Sequence, residues 1–242
     1  MDNITMEKWI KINSQSSGKD KIARLIQYSS RFLWYYIEVT KDSRDTVTKL
    51  QNLEKSLSSF RKLLRFGKSV EVLHGTLKTI HINDRFLKVV ITLSRIYQGI
   101  FLLFDHFVWL ADTGLVRIQR KKYVEYSNKF WLGSIILGLL RDAYEINIAI
   151  ESDVSFYKKK GSLTHLSNQS KRTFKWSDFI RLLRDHDDVF WDTVKNVADI
   201  WIPLTSLGHV NLSSGAIGVL GIISSVAGLM PIINPQLKLL PS

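Results

Sequence analysis

The segment from Ile200 to Leu237 contains no Lys, Arg, Asp or Glu, although the chain of 242 residues carries 34 basic and 22 acidic side chains. Within it, residues 215–233 are all apolar or small. A helix of this length, rising about 1.5 Å per residue, just crosses a hydrocarbon core of about 30 Å. The sequence therefore predicts a C-terminal membrane region, 200–242, with a transmembrane span at 215–233.

Small residues recur along one face of the predicted span. In lipid, a stripe of small side chains allows a second helix to approach closely. Two interpretations are open: a self-association face of a homo-oligomer, or the high glycine content that membrane helices commonly have. The stripe consists of Ser214, Gly218, Gly221, Ser225 and Gly228. These residues follow one another at steps of four, three, four and three positions, which keeps their side chains on one face of a helix.

Residues 1–199 form a strongly basic region. They carry every acidic residue and all basic residues except Lys238, and the chain has a net charge of +12. Such a surface suits an anionic partner, either nucleic acid or anionic phospholipid headgroups. Because the chain also has an apolar C-terminal segment, we predict that the partner is an anionic phospholipid membrane and not nucleic acid.

Two amphipathic patterns precede the first long apolar segment. One begins near Ser17 and places Asp20, Arg24, Gln27 and Arg31 on its polar face. The other runs from Val47 to Ile82, with apolar residues every three or four positions and basic residues largely beside them.

This second pattern suits a helix lying in the headgroup plane or one packed in an ordinary bundle. Gly67 interrupts it at a cost of about 1 kcal/mol relative to alanine, so one long helix or two abutting helices fit. The candidate membrane-binding residues are Leu50, Lys55, Leu57, Phe60, Arg61, Lys62, Leu64, Arg65 and Lys68.

A marginal membrane segment lies at 86–104. Arg95 stands at its midpoint, where an arginine costs about 2.5–3.5 kcal/mol on insertion scales, so the segment is either a second span or a buried interfacial helix.

Residues 130–140 are uncharged but too short to span a membrane. The polar stretch at about 152–175 predicts an exposed loop, and Ser177 is a candidate N-cap for the helix after it.

No strand-like alternation occurs, so the predicted fold class is all-α: amphipathic, membrane-associated helices followed by a C-terminal transmembrane helix.

Catalytic patterns are missing as well. Gly67-Lys68-Ser69 imitates the end of a phosphate-binding loop, but Lys62 occupies the position of its required glycine. The chain has no cysteine, and its histidines lack metal-ligand spacing. We predict no enzyme activity, no cofactor and no metal site.

Five segments follow one another along the chain in a recognisable order. They are Ser17-Gly-Lys-Asp-Lys21, Arg61-Lys-Leu-Leu-Arg-Phe-Gly-Lys68, residues 104–115, residues 128–132 with 140–145, and residues 195–204. In this order they resemble the peroxisomal membrane protein 11 family. The resemblance implies an integral protein of the peroxisomal membrane, multi-pass or C-terminally anchored, with cytosolic termini. It also implies self-association and cooperation with the dynamin-type fission machinery and its membrane adaptors.

The resulting prediction is a peroxisomal membrane protein that remodels and elongates the peroxisomal membrane through cationic amphipathic helices, promoting peroxisome fission and proliferation. A first alternative is a pore for small metabolites, with Arg95 and Arg141 facing a polar lumen. A second is a tail-anchored scaffold whose basic helices bind a protein partner. Because cytosolic termini require an even number of spans, 215–233 needs a companion, either 86–104 or a hairpin within 200–237.

Overall fold

The structure is a computed structural model that describes residues 3–40, 43–160 and 186–240. Every regular element in this part is helical, which confirms the all-α prediction. Two short 3₁₀ turns, Leu77–His81 and Pro235–Leu237, accompany the α-helices. The α-helices are α1 (Asn3–Ser14), α2 (Ser16–Thr40), α3 (Arg44–Leu64), α4 (Lys68–Thr76), α5 (Arg85–Asp112), α6 (Arg120–Lys160), α7 (Asp187–Asp199), α8 (Trp201–Ser206) and α9 (Ser214–Ile233).

The amphipathic pattern at 47–82 forms two helices, which settles the choice that the sequence left open. Gly67 separates α3 from α4 and has a φ of +78°. Only glycine adopts such a φ at little cost, so this residue fixes the break. The two helices then take different neighbours: α3 packs along α2, and α4 packs along α5.

Within the described residues, the longer helices form a ring. α2 packs between α3 and α9, α7 packs between α9 and α6, and α5 packs beside α6. α3 closes the ring against α5 near its own C-terminal end, where Lys62 reaches Asp112. The inner faces of these helices therefore surround a common interior.

The ring is charged inside and apolar outside. Its buried polar side chains include Asp20, Arg24, Gln27, Arg61, Asp105, Asp142, Asn196 and Asp199. Its exposed large apolar side chains include Leu33, Leu53, Phe60, Val89, Phe107, Leu140 and Ile223. A helix of a water-soluble bundle has the opposite arrangement, with its apolar stripe facing the core. Charged interiors behind apolar outer faces are typical of bundles that contact lipid.

α5 and α9 are long and apolar enough to cross a membrane, by length and composition. They contain the predicted segments 86–104 and 215–233, which are therefore helical. Each begins at a side-chain cap, because Asp84 and Ser213 accept hydrogen bonds from backbone N–H groups of the first turn.

α6 is longer than the sequence predicts. It includes residues 130–140 and continues to Lys160, so residues 152–160 are helical and not part of the predicted loop. The reason is local, since no glycine or proline interrupts the chain there before Gly161. The rest of the predicted loop, 161–175, and the predicted cap Ser177 lie outside the described residues.

Candidate functional site

A cavity of about 1090 Å³ lies along the inner faces of the ring. α6 contributes lining residues from Arg120 to Arg141, and α5 contributes them from Val90 to Val108. At about 1.5 Å per residue, these stretches are roughly 30 Å long, which is about the thickness of a bilayer's hydrocarbon core. The cavity therefore extends along most of the bundle.

Basic side chains dominate the lining of the cavity. Among the described residues, the lining has twelve basic side chains: Lys21, Arg24, Arg61, Lys62, Arg65, Lys68, Lys78, Arg95, Arg120, Arg141, Lys195 and Lys238. From the same part of the chain it has five acidic side chains: Asp20, Glu71, Asp105, Asp192 and Asp199. Twelve minus five leaves a net charge of +7, and a concave surface with this excess of one sign concentrates ions of the other. The cavity is suited to anions.

A buried ion pair joins α2 to α7 across this interior. Arg24 donates from both terminal nitrogens to the two carboxylate oxygens of Asp199. The two side chains are only 5% and 6% exposed. Burial alone would raise the pKa of Asp199, but the adjacent Arg24 guanidinium outweighs burial and holds that pKa below its usual value. The pair is thus charged and shielded from water.

Asp20 connects α2 to α3. Its Oδ1 accepts a hydrogen bond from Arg61 Nε at 3.0 Å, and Arg65 Nε lies 3.7 Å away. Arg65 also reaches Asp105 on α5, with Nη2 2.9 Å from Oδ2. Burial acts to raise the pKa of Asp20, but the charges of Arg61 and Arg65 lower it overall.

These contacts correct the predicted orientation of three cations. The family resemblance implies that Arg61, Lys62 and Arg65 face lipid headgroups, whereas in the structure they contact carboxylates of α2 and α5. α3 turns its basic side inward because a buried charge needs a partner and the facing helices supply Asp20 and Asp112.

The other members of the predicted membrane-binding set are distributed differently. Lys55 and Phe60 are exposed, and Lys68 lines the cavity. The three leucines of the set, which are Leu50, Leu57 and Leu64, are half-buried. The outer face of α3 and of the turn after it instead presents Leu53, Phe60, Leu63 and Phe66. Whether this face binds a membrane stays a prediction.

Arg95 and Arg141, the arginines of the predicted polar lumen, both line the cavity. Arg95 donates to the backbone carbonyl of Gly75 on α4. Arg141 reaches Asp142 at 3.2 Å and also contacts Asp192 of α7. Both arginines therefore lie at the cavity wall, and Arg141 is paired there with two carboxylates.

The predicted self-association stripe is covered by α2 of the same chain. A Cβ built on Gly218 would lie 2.8 Å from the backbone nitrogen of Phe32, and one on Gly221 would lie 2.2 Å from the ring of Tyr28. Gly228 approaches Lys21 in the same way. Ser225 is buried and Ser214 half-buried. The small residues therefore serve a close helix contact, as predicted for such a stripe, but in the structure the neighbour is α2.

Sequence reasoning missed Arg24, Asp199 and Asp20 as partners. The periodicity of the sequence places Arg24 and Asp20 on a polar face of α2 but does not determine which way that face points. Among the described residues, no group of three or more His, Asp or Glu is arranged to hold a metal ion.

Comparison with known proteins places the chain in a family. The family model of peroxisomal biogenesis factor 11 (PEX11) matches residues 6–233. The chain belongs to the PEX11 family. This confirms the resemblance found in the sequence, and the match covers the ring from α2 to α9.

Several PEX11-type proteins are similar over nearly their full length. Peroxisomal membrane protein 11A of Bos taurus is 31% identical over 244 residues, covering 97% of this chain and 99% of the relative. Peroxisomal membrane protein 11B of Homo sapiens is 28% identical over 261 residues, covering 98% and 100%. The peroxisomal membrane protein 11 homolog of Dictyostelium discoideum is 25% identical over 239 residues, covering 93% of each. No solved structure matches the chain significantly.

Proposed function

We propose that this chain is a peroxisomal membrane protein that elongates the peroxisomal membrane and thereby promotes fission and proliferation. Membership of the PEX11 family supports the location, because the similar proteins are peroxisomal membrane proteins. The observation that carries the proposal is the apolar outer surface around a charged interior. As part of this function, we also propose that the chain self-associates and cooperates with the dynamin-type fission machinery and its membrane adaptors.

The outer face of α3 is the part best suited to deform a bilayer. Phe60 and Leu63 are 47% and 49% exposed, and Phe66 beyond the helix end is 59% exposed. Apolar side chains that enter one leaflet at the headgroup boundary spread its lipids apart. Lys55 is exposed on the same helix, and a lysine near an anionic surface contributes about 1 kcal/mol of attraction. Insertion of this face into the cytosolic leaflet would bend the membrane outward into tubules.

We expect the double change Phe60→Asp with Leu63→Asp to abolish tubulation of anionic liposomes by the full-length protein. Two charges on the inserting face oppose its entry into the apolar boundary, whereas the buried cations of α3 keep their partners. The measurement is electron microscopy of liposomes after reconstitution, together with peroxisome length in cells that express the variant. The matched control is Asn52→Asp with Ser59→Asp, which adds the same charge at exposed polar positions of α3. Equal tubulation by both variants would contradict the proposal.

The cavity favours a second function, passage of small anions through the ring. The two basic lining residues of α6, Arg120 and Arg141, lie roughly 30 Å apart along the helix, and charges inside a membrane bundle commonly face a conducting path.

For this second function we expect Arg95→Leu to lower the anion selectivity of the full-length protein in planar bilayers. The reversal potential in a salt gradient should move toward zero, because the lumen loses one positive charge near the middle of α5. Arg95→Lys keeps the charge and should retain the selectivity. Lys55→Leu, which removes a cation outside the cavity, serves as the matched control. A conductance with the same selectivity in Arg95→Leu, or no conductance at all in the unmodified protein, would exclude the pore function.

A further inference from the structure

Lys21 is a cation of the cavity wall that is near the charges of Asp199 and Asp20 but, among the described residues, forms an ion pair with neither. It lies on α2 against α9, where a Cβ on Gly228 would be 3.0 Å from its Nζ. Across residues 3–40, 43–160 and 186–240, no hydrogen bond or ion pair to its ammonium group is present. Its nearest carboxylates are already engaged, because Asp199 holds Arg24 and Asp20 holds Arg61. An ammonium group in this setting is available to an anion from outside the chain.

The other lining carboxylates are mostly engaged as well. Asp105 pairs with Arg65, and Asp192 contacts both Arg141 and Lys195. In the described part of the chain, one lining acid has no ion-pair partner, Glu71. Four lining lysines likewise have none, Lys21, Lys68, Lys78 and Lys238. The positive excess of the cavity is therefore concentrated on lysines that the protein itself does not neutralise.

Further donors lie in the same lining. The Nε atoms of Arg24 and Arg141 are buried without a hydrogen-bond acceptor. Lysine ammonium groups bind phosphates as compact point charges, and arginines add directed N–H donors. A cavity of about 1090 Å³ is large enough for a nucleotide or an inositol phosphate headgroup.

We propose that the cavity binds a multiply charged phosphate anion, with Lys21 as a direct ligand. The phosphate group belongs either to a free anion, such as pyrophosphate or a nucleotide, or to the headgroup of a phosphoinositide. Binding uses the cavity of the proposed pore but requires no passage through it. A chain that binds phosphate without conducting ions therefore fails as a pore and retains this site.

The pH dependence of binding follows from the groups around Lys21. Burial and then the charge of Arg24 and Lys195 lower the pKa of Lys21, while Asp199 and Asp20 raise it, with a result of about 7. α9, packed against it, carries no charged residue. A bound phosphate favours the protonated ammonium group, so the contribution of Lys21 to binding decreases as the pH rises from 6 to 8, and the difference in affinity between the unmodified protein and Lys21→Met becomes smaller.

The test uses the full-length protein in phosphatidylcholine nanodiscs at low ionic strength. Pyrophosphate is titrated by calorimetry at pH 6 and pH 8, and a parallel series contains phosphatidylinositol 4,5-bisphosphate in the nanodisc. Lys21→Met should weaken binding by about tenfold or more, because it removes one charge-assisted hydrogen bond. Lys21→Arg should retain most of the affinity. Lys122→Met, an equal loss of charge at an exposed position outside the cavity, should bind as the unmodified protein does.

The outcomes separate the site from general charge attraction and identify the source of the phosphate. Pyrophosphate binding that the phosphoinositide suppresses identifies the lipid headgroup as the natural ligand, and binding that it leaves unchanged identifies a free anion. The proposal is overturned if neither probe binds with saturation. It is also overturned if Lys21→Met binds as tightly as Lys122→Met, with thermal melting showing that both variants are folded.

Discussion

Asp199→Asn should lower the free energy of unfolding by about 3–5 kcal/mol, because it leaves the Arg24 guanidinium buried without a counter-charge. Asparagine has almost the same size, so the loss is electrostatic and not a loss of packing. The measurement is unfolding of the purified protein by titration with SDS, followed by helical circular dichroism. Both partners are about 95% buried, which is why the expected effect is among the largest in the chain.

An exposed ion pair supplies the matched control. Lys49 and Asp45 lie 2.6 Å apart, but their side chains are 74% and 78% exposed. Pairs of this kind contribute about 0.3–0.5 kcal/mol, so Asp45→Asn should leave the unfolding curve almost unchanged. The double variant Arg24→Met with Asp199→Leu should recover much of the stability, since neither member of the ion pair is left without the other. Equal curves for Asp199→Asn and Asp45→Asn would mean that the interior of the ring is accessible to water.

The helices of this ring could be predicted from spacing, but their orientation could not. Apolar periodicity places Asp20, Arg24 and Gln27 on one face of α2, and the structure agrees. Periodicity does not say whether that face points to solvent, lipid or other helices. In a water-soluble bundle it would point outward, and here it points inward, because facing helices supply partners for the charges.

Those partners lie far away in the sequence, which is why the interior could not be found by motif. Arg24 and Asp199 are separated by 175 positions, and Arg65 reaches Asp105 from another helix. No local spacing encodes either pair. The break at Gly67 shows the opposite case: the sequence identified the position, and only the positive φ decided between one helix and two.

For the stripe of small residues on α9, the sequence predicts the close helix contact but not which helix makes it. Its spacing correctly indicates a close helix contact, and the predicted span at 215–233 is helical, with the helix starting one residue earlier, at Ser214. The identity of the neighbour is a matter of tertiary structure. In the structure the neighbour is α2, the helix that the first amphipathic pattern of the sequence forms.

Gly221→Leu should destabilise the fold by about 1–3 kcal/mol or more, because the added side chain enters the space of the Tyr28 ring. Tyr28 is buried and cannot move aside without disturbing the contact between α2 and α9. Val219→Leu is the control, since Val219 lies on the outer face of the same helix and is 41% exposed. Unfolding in SDS compares the two variants, and chemical crosslinking reports self-association in the same samples.

A second substitution distinguishes the neighbour of the stripe. At Gly228 the obstructing group is the end of Lys21, a flexible side chain that can move away, so Gly228→Leu should cost less than Gly221→Leu. A smaller loss of stability in Gly228→Leu than in Gly221→Leu is expected only if the stripe packs on α2. A second copy of α9 would have no lysine to place opposite Gly228. If instead both variants kept the stability of Val219→Leu and lost their crosslinked dimer, the stripe would face another copy of the chain. The relative cost of the two glycine substitutions therefore decides whether α9 closes the ring or joins two rings together.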